Sequence, residues 1–231
     1  MKPWQVQISA RVGDFQLDVA LDGHQEPLAI IGANGAGKTT LLKAIAGLAS
    51  SSAGEVSLGE QLWQNESSAV PPERRQVGWL PQGAPLMPHL TVAQSVAFGR
   101  GVTEERAAIW LHRFELNDLA HHSTQALSGG QRQRVALAQV LATEPKWLLL
   151  DEPFAALDAP GRLQVYEHLR EVKAPLWFTS HDLREVAALG ARVAVLERGA
   201  LASHSTLQEL IDAPPTSLVA AMVRELKLPT L

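Results

Sequence analysis

Short continuous runs of apolar residues recur along the chain and are separated by segments with helical character. The clearest runs are Leu28–Ile31, Trp147–Leu150, Leu176–Thr179 and residues 193–196. Buried parallel strands have this pattern because both faces of their sheet are covered, whereas half-exposed strands alternate apolar with polar positions. Helical segments alternate with the runs in the second half of the chain. The pattern therefore predicts an α/β fold with a parallel sheet.

Residues 83–127 contain no strand pattern and interrupt this alternation. Their periodicity predicts helices over 92–99 and 104–114, and a further helix is predicted earlier in the chain, over 37–46. We interpret residues 1–231 as a single domain. Its predicted parts are a core of residues 1–82 and 147–212, a helical subdomain of residues 83–146, and a tail of residues 213–231 with a loop and one short helix.

A glycine-rich segment follows the apolar run 28–31 directly. It reads Gly32-Ala33-Asn34-Gly35-Ala36-Gly37-Lys38-Thr39-Thr40 and matches the pattern G-x-x-x-x-G-K-[ST]. Such a loop binds phosphate because glycines let backbone N–H groups approach the anion, a lysine contacts the outer phosphates, and a hydroxyl ligates Mg²⁺ at a helix N-terminus. We predict that this loop holds a nucleotide, with Lys38 on the phosphates and Thr39 on the metal. A structural glycine turn before a helix is the alternative.

Two acidic residues end the apolar run Trp147–Leu150. Asp151 and Glu152 fall at the carboxyl end of a predicted parallel strand, where open α/β sheets carry ligand-binding groups. Alone, this pattern fits a buried strand followed by solvated acids. Combined with the phosphate loop, it predicts that Asp151 acts on Mg²⁺ or its waters and that Glu152 is the base that positions an attacking water.

A third motif, Leu127-Ser128-Gly129-Gly130-Gln131, precedes a segment of helical character. Ser128 is a favoured N-cap residue, and the two glycines leave N–H groups at the helix N-terminus accessible to an anion. By themselves, Ser128, Gly129, Gly130 and Gln131 are candidates for binding an anion. The alternative is a flexible loop before a helix, which is a common arrangement.

The order of these motifs resembles that of the ATP-binding cassette (ABC) ATPases, over nearly the whole chain. The matching features are the phosphate loop, Gln82, the pentapeptide 127–131, the acidic pair 151–152, Leu157-Asp158 and His181. The resemblance implies a P-loop NTPase (RecA-like) α/β core, an antiparallel β-subdomain and an inserted α-helical subdomain that carries the signature pentapeptide. It also implies a head-to-tail dimer, in which ATP and Mg²⁺ lie between the phosphate loop of one subunit and the signature of the other.

The catalytic roles of two residues come from this resemblance. Gln82, which follows a short predicted strand, joins the core to the helical subdomain and is a further oxygen ligand of Mg²⁺. His181 contacts the γ-phosphate or the attacking water. A lone histidine after a strand is more often a surface or capping residue, but its Thr-Ser-His-Asp context and its position after Glu152 favour the catalytic role. The expected catalytic set is Lys38, Gln82, Glu152 and His181.

Two other residues are predicted to bind nucleotide or to communicate between subunits. Asp158 resembles the residue of the family's D-loop, and it also fits an ordinary helix N-cap; both can hold together. Phe15 is the candidate for stacking on adenine. Many members carry that aromatic immediately before Gly13, where this chain has Val12, and Phe15 fits a core position of an alternating strand equally well.

Composition narrows the function classes. The formal net charge of −4 argues against an electrostatic nucleic-acid binder, and the absence of cysteine excludes disulfides and thiolate metal sites. No apolar run reaches the roughly 20 residues that span a bilayer, and the N-terminus has no signal-peptide core. The six tryptophans are interpreted as packing or interface groups, and Arg74 and Arg75 as capping the strand that follows them.

The subclass also comes from resemblance. Residues 13–19, 71–78 and 86–92 are similar to molybdate-type oxyanion importers and to thiamine importers. An importer ATPase implies a second ATPase subunit, membrane permease subunits whose coupling helix docks on residues 83–98, and indirectly a solute-binding protein. We expect a peripheral protein on the cytoplasmic face of the inner membrane. The chain ends without the extra C-terminal domain of many molybdate and sugar members, so no built-in substrate sensing is expected.

Two other function classes stay open. Soluble ABC ATPases of DNA repair or translation usually have two cassettes or a long coiled-coil insertion, and neither pattern is found in this chain. A nucleotide-binding regulator that does not hydrolyse ATP would not need Glu152, Gln82 and His181 together. Hydrolysis coupled to solute uptake is the function that the sequence favours.

Overall fold

The computed structural model describes residues 3–49 and 52–227 of the chain. The strands are β1 Trp4–Val12, β2 Phe15–Gly23, β3 Leu28–Ile31, β4 Ser52–Leu58, β5 Gln61–Gln64, β6 Val77–Leu80, β7 Trp147–Leu150, β8 Leu176–Thr179, β9 Arg192–Glu197 and β10 Ala200–Ser205. They form one mixed sheet in the order β5-β4-β1-β2-β10-β9-β3-β8-β7-β6. The four predicted buried strands are therefore β3, β7, β8 and β9.

The helices lie on both faces of this sheet. They are α1 Lys38–Ala46, α2 Pro72–Arg75, α3 Val92–Ala97, α4 Glu104–Arg113, α5 Gly129–Ala142, α6 Ala159–Arg170, α7 Leu183–Leu189, α8 Leu207–Asp212 and α9 Ser217–Lys227. Helices α1, α3 and α4 correspond to the helices predicted over 37–46, 92–99 and 104–114, and each is one or two residues shorter than predicted. Helix α9 is the helix predicted for the tail.

Five neighbouring strands of the sheet, β9, β3, β8, β7 and β6, are parallel to one another. All four residues of β3, β7 and β8 are buried, because α1 and the antiparallel strands cover one face of this part of the sheet and other helices cover the opposite face. The carboxyl ends of β3, β8, β7 and β6 consequently lie side by side at one edge. The segments that follow those four strands carry the predicted site residues.

The other half of the sheet is antiparallel, except that β10 runs parallel to β2. Strands β1 and β2 form a long hairpin whose two-residue turn pairs Val12 with Phe15 and places Gly13 at a φ of 58°. The pattern of buried and exposed residues alternates along both strands, as in a sheet with one covered face. Strand β4 pairs with β1, and β5 pairs with β4. This part of the fold is the predicted antiparallel β-subdomain.

Two clusters of buried side chains lie on opposite faces of the parallel strands. Leu28 and Ile30 of β3 pack with α1 and the antiparallel strands. Ala29 and Ile31 point to the other face and belong to a cluster that includes α5, α6 and α7. Because successive side chains of a strand point to opposite faces, one short apolar run stabilises both layers.

Four tryptophans pack together in the first of these clusters. The ring centroids of Trp4 and Trp177 are 4.8 Å apart, those of Trp147 and Trp177 are 5.3 Å apart, and those of Trp63 and Trp147 are 5.6 Å apart. All four side chains are buried. Their packing agrees with the interpretation of the tryptophans as structural groups.

Helices α3, α4 and α5 form a group inserted between β6 and β7. Their mutual packing accounts for the helical subdomain predicted from the sequence, although the boundaries proposed for it at 83 and 146 stay a prediction. In the described part of the chain, every helix is too short or too polar to cross a bilayer.

Arg75 corrects one interpretation made from the sequence. It was expected to cap the following strand, but its side chain is only 1% exposed and lies behind the phosphate-loop helix. The guanidinium donates to the carbonyl oxygens of Ala44 and Ile45 at 3.2 and 2.7 Å, and to Val70 O at 2.8 Å. Arg75 therefore caps the carboxyl end of α1, where a positive charge also interacts favourably with the helix dipole.

Candidate functional site

Three strands of the parallel sheet bring predicted site residues to one cavity. The phosphate loop follows β3, Asp151 and Glu152 follow β7, and Gln82 follows β6. The cavity has a volume of about 540 Å³. It is lined by Val12, Phe15, Asn34, Gly35, Gly37, Lys38, Thr39, Thr40, Gln82, Asp151 and Glu152. Residues more than a hundred positions apart in the sequence thus share one site.

The phosphate loop has the backbone that its glycines permit. Gly35 and Gly37 have φ angles of 79° and 105°, which side chains with a Cβ rarely adopt. Gly32 has a different reason: a Cβ at this position would lie 2.5 Å from the carbonyl oxygen of Leu196 in β9. The loop therefore packs closely on the sheet and turns directly into α1.

Lys38, the first residue of α1, folds back over the loop. Its Nζ donates to the carbonyl oxygens of Gly32 and Ala33 at 2.8 and 3.2 Å, and the side chain is only 7% exposed. Burial lowers the pKa of Lys38, whereas Glu152 and Asp151 act in the opposite direction. Because these hydrogen bonds go to neutral carbonyl oxygens, the buried positive charge is well placed to bind an anion that enters the loop.

Thr39 and Asp151 are joined directly, although they are 112 residues apart in the sequence. The Thr39 hydroxyl donates to Asp151 Oδ2 at 2.6 Å, and the Thr179 hydroxyl donates to Asp151 Oδ1 at 2.8 Å. Asp151 is buried. Hydroxyl and carboxylate oxygens are ligands that Mg²⁺ prefers, so this pair fits the predicted metal-binding role.

Glu152 is held by three other residues at the edge of the cavity. Its Oε2 accepts from Gln82 Nε2 at 2.9 Å, and its Oε1 lies 2.8 Å from His181 Nε2. The backbone N–H of Glu152 donates to the Thr179 hydroxyl at 2.7 Å. Glu152 has a positive φ of 52°, an uncommon conformation for a residue with a side chain. Gln82, Glu152 and His181, all predicted from the sequence, therefore meet.

Phe15 and Val12 lie at the mouth of the cavity, at the two ends of the β1–β2 turn. Phe15 also packs against the buried cluster that contains α1, and a Cβ on Gly37 would lie 3.0 Å from its ring. Val12 is 57% exposed. Phe15 therefore contacts both the core and the cavity. A role in stacking on adenine and a role as a core residue both stay open.

The signature motif lies at the start of α5, outside the lining of the phosphate-loop cavity. Ser128 and Gln131 form a capping box: Ser128 Oγ accepts from Gln131 N at 3.2 Å, and Gln131 Oε1 accepts from Ser128 N at 2.9 Å. A Cβ on Gly130 would lie 3.2 Å from Ala156 O. The predicted N-cap is therefore present, but one chain does not bring the signature to its own phosphate loop.

Asp158 is the N-cap of α6 and accepts a hydrogen bond from Gly161 N at 3.0 Å. The segment that contains it lies beside the signature through Ala156. The predicted N-cap is therefore present. A contact of Asp158 with another subunit stays a prediction.

Two buried residues that support the site were not singled out from the sequence. Thr179 bridges Asp151 and Glu152, and Gln133 donates to Pro153 O at 2.8 Å, which ties the signature helix to the segment after β7. The only signal for Thr179 was its position at the end of a strand, two residues before His181. Gln133 occupies a helix position with no distinctive local pattern.

Comparison with known proteins identifies the family. A family model described as ABC transporter matches residues 18–155, which is more than half of the chain. The chain belongs to the ABC transporter family. The molybdenum import ATP-binding protein of Mycobacterium tuberculosis is 40% identical over 228 residues, which cover 91% of this chain and 62% of that protein. The probable sulfate/thiosulfate import ATP-binding protein of Chlorella vulgaris is 39% identical, over 92% of this chain and 94% of that protein.

A solved ABC structure has the same fold. It is an ATP-binding cassette in a dimeric post-hydrolysis state bound to ADP and Pi, with a TM-score of 0.74 and 25% sequence identity over 89% of this chain and 98% of that one. The predicted P-loop NTPase fold is confirmed. The chain spans about three fifths of the length of the molybdenum import relatives that it matches.

Proposed function

We propose that the chain is the ATP-binding and ATP-hydrolysing subunit of an ABC importer. The observation that carries this proposal is the position of Glu152 between Gln82 and His181, at the edge of the phosphate-loop cavity. A regulator that only binds nucleotide has no need of this arrangement. The name of the Mycobacterium tuberculosis relative, an import ATP-binding protein, supports the same function.

Phosphate binding is the role proposed for the loop 32–40. The N–H groups around Gly35 and Gly37 and the ammonium group of Lys38 would neutralise the charge of the β- and γ-phosphates. Thr39, Asp151 and Gln82 would supply oxygen ligands for Mg²⁺. When bound, this ion would neutralise phosphate charge.

Glu152 would act as the base that orients and activates a water for attack. Its carboxylate is held by Gln82 on one oxygen and by His181 on the other, so its direction is set by two separate elements. Fixed orientation matters because positioning contributes much of the catalysis of phosphoryl transfer. His181 Nε2, on the exposed side, would also be close to the γ-phosphate.

A second copy of the chain would complete the site. The signature 128–131 lies at a helix N-terminus that is suited to an anion, but it lies outside its own chain's cavity. In a head-to-tail dimer it would contact the ATP of the partner, together with the segment of Asp158. The dimeric state of the solved relative bound to ADP and Pi supports this assembly.

The proposed cargo is an oxyanion, with molybdate or tungstate first and sulfate as the second candidate. The names of relatives at 40% and 39% identity, for molybdenum and for sulfate/thiosulfate import, support this class. Membrane permease subunits would dock on residues 83–98, and a solute-binding protein would deliver the cargo. The chain would then be peripheral on the cytoplasmic face of the inner membrane.

Replacing Glu152 with Gln tests the proposed chemistry. The amide keeps the size of the side chain but cannot accept a proton, so we expect hydrolysis of Mg-ATP to fall by at least about a hundredfold while ATP still binds. Steady-state hydrolysis and equilibrium binding of a fluorescent ATP analogue measure the two effects separately.

The matched control is Glu55→Gln, which changes an exposed glutamate of β4 and should keep the parent rate. A Glu152→Gln protein as active as the parent would exclude Glu152 as the base. In membranes from cells that express the transporter, the same variant should stop ATP-dependent molybdate uptake. Competition by excess sulfate would indicate a shared or sulfate-specific cargo site.

A further inference from the structure

A buried glutamate lies directly behind the turn that carries His181. Glu185 is in the first turn of α7 and is only 8% exposed. Its Oε2 is 2.5 Å from the hydroxyl of Ser180, which is itself buried. The phosphate and metal chemistry described above uses neither residue.

The Ser180 hydroxyl is the centre of the turn. It accepts a hydrogen bond from Asp182 N at 2.9 Å and lies 3.0 Å from Asp182 O. Ser180 N donates to Ile30 O of β3 at 3.3 Å, which connects the turn to the central sheet. Ser180 and Asp182 are the two neighbours of His181 in the chain. The Ser180 hydroxyl therefore holds the backbone of the turn that carries the imidazole of His181.

We propose that Glu185 is a positioning residue for hydrolysis, and that its carboxyl group acts through the Ser180 hydroxyl to hold His181 against Glu152. The contact that it would maintain is the 2.8 Å separation of His181 Nε2 from Glu152 Oε1. This inference rests on the proposed ATPase function, because a turn that holds His181 has no catalytic consequence otherwise.

The protonation of Glu185 gives the hydrogen bonds of Ser180 two arrangements. Ser180 has one hydroxyl proton and two acceptors within reach, Glu185 Oε2 and Asp182 O. If Glu185 is protonated, it donates to Ser180 Oγ, and the hydroxyl is then free to donate to Asp182 O. If Glu185 is ionised, its carboxylate accepts the hydrogen bond of the Ser180 hydroxyl, and the bond from that hydroxyl to Asp182 O is lost. The protonated form therefore closes the turn completely.

The surroundings of Glu185 place the change between these states near neutral pH. Burial raises the pKa of Glu185 to about 7, opposed by the Ser180 hydrogen bond and by Arg162 of α6, whereas Asp182 and Glu152 raise it further. Tyr166 of α6 also faces the carboxyl group, and burial with the charge of Glu185 raises the pKa of that phenol to about 12, so it stays neutral.

The sign of the pH effect follows from this raised pKa. Below pH 7 the folded protein keeps Glu185 protonated and the turn closed, and as pH rises through about 7 the closed turn is lost. Hydrolysis should therefore lose a component of its rate over the same interval.

Two substitutions separate the hydrogen bond from the charge. In Glu185→Gln, the amide donates to Ser180 permanently, as the protonated acid does. In Glu185→Met, a side chain of similar length fills the space without a hydrogen bond. The matched control is Glu167→Gln, which removes an exposed carboxylate from α6. The experiment measures kcat and KM for Mg-ATP on the full chain from pH 6 to 8.

The expected result is a change in kcat with KM preserved. Glu185→Met leaves the Ser180 hydroxyl able to donate to Asp182 O but removes the bond that ties Ser180 to α7, so kcat should fall about tenfold at every pH. KM for ATP should stay within about twofold, because the phosphate loop is unchanged. The ratio of kcat for Glu185→Gln to that of the parent should rise as pH passes through 7, whereas the ratio for Glu167→Gln stays flat. A flat ratio for Glu185→Gln would overturn the proposal.

A second readout does not depend on hydrolysis. The Asp182 amide donates to Ser180 Oγ, so its NMR resonance should shift with a midpoint near pH 7 in the parent and should show no such transition in Glu185→Gln. The same transition in both proteins would contradict the role of Glu185. A parent that hydrolyses no ATP but shows the expected difference at Asp182 would contradict only the proposed function.

Discussion

The conformation and the contacts of Glu152 are set by residues that are distant in the sequence. Its type and its place after an apolar run, combined with the phosphate loop, predicted a base, but neither its positive φ of 52° nor its contacts follow from local sequence. The Thr179 hydroxyl accepts from the Glu152 N–H at this uncommon backbone conformation. Strained residues persist where surrounding contacts hold them, and such sites are often functional.

Arg75 shows how a buried charge can support a binding loop without touching the ligand. Removing it should leave the carbonyls of Ala44 and Ile45 at the end of α1 without their donor. We predict that Arg75→Met lowers the free energy of unfolding by about 2–4 kcal/mol, since buried polar groups are costly when unpaired. Urea denaturation followed by circular dichroism measures this value.

The neighbouring arginine provides the control for this prediction. Arg74 is exposed on the same short helix, so Arg74→Met should change stability by less than about 0.5 kcal/mol. Equal effects of the two substitutions would mean that the hydrogen bonds of Arg75 contribute little.

Several helices of this protein begin at a residue whose side chain caps them. Capping boxes are present at α3, α5 and α8, with Thr91, Ser128 and Thr206 as N-caps. In a capping box, a Ser or Thr N-cap and a Gln or Glu at the third helical position bond to each other's backbone. The pattern involves only four consecutive residues, so it can be recognised in the sequence. The start of α5 was predicted from Ser128 as a favoured N-cap residue, whereas the bond of Gln133 to the segment after β7 depends on packing.

Two of these caps distinguish a structural role from a functional one. Ser128→Ala and Thr206→Ala each remove one N-cap and should each lower stability by about 1 kcal/mol. We expect only Ser128→Ala to lower ATP hydrolysis, because Thr206 caps α8 and lies outside the site. Both variants should bind ATP through Lys38. Hydrolysis assays paired with thermal denaturation compare the two.

An equal loss of hydrolysis in both variants would mean that the signature acts only through helix stability. An unchanged rate in Ser128→Ala would exclude a contact of its hydroxyl in the hydrolysing state.

The two halves of the proposed ATP site, the phosphate loop and the signature, lie apart in the folded chain. The phosphate loop lies at the carboxyl edge of the parallel strands, and the signature begins α5, beside Ala156. A head-to-tail dimer would bring the halves of different chains together. Such a pairing uses the same two surfaces twice and closes on itself.

Mixing two inactive variants tests this assembly. Lys38→Ala removes phosphate binding, and Ser128→Arg blocks the signature, so each protein alone should be inactive. A mixed dimer would contain one intact site, and an equimolar mixture should recover up to about a quarter of the parent rate if the sites work independently. Hydrolysis is measured before and after subunits have exchanged.

The control mixture combines Lys38→Ala with Glu152→Gln. Both changes affect the phosphate-loop half of a site, so every site in their dimers remains defective and no activity should return. Recovery in both mixtures, or in neither, would contradict a site shared between two chains.

The central strands of this protein and several of its site residues could be predicted from local sequence patterns. Apolar runs predicted β3, β7, β8 and β9, and the motifs predicted Lys38, Thr39, Asp151 and Glu152 at the site. The roles of Gln82 and His181 came from the resemblance to ABC ATPases. Local patterns suffice here because strand burial, helix capping and phosphate loops each depend on residues a few positions apart.

Contacts between distant segments could not be read in this way. The bond between Thr39 and Asp151 spans 112 residues, and the bond between Gln82 and Glu152 spans 70. Both exist because β3, β8, β7 and β6 are neighbours in one sheet, and that order is set by long-range pairing. The same packing buries Arg75 and Glu185 and places the signature outside its own chain's cavity. The residues thus supply the chemistry, and the folded sheet selects which of them meet, because proximity and burial are properties of packing and not of spacing along the chain.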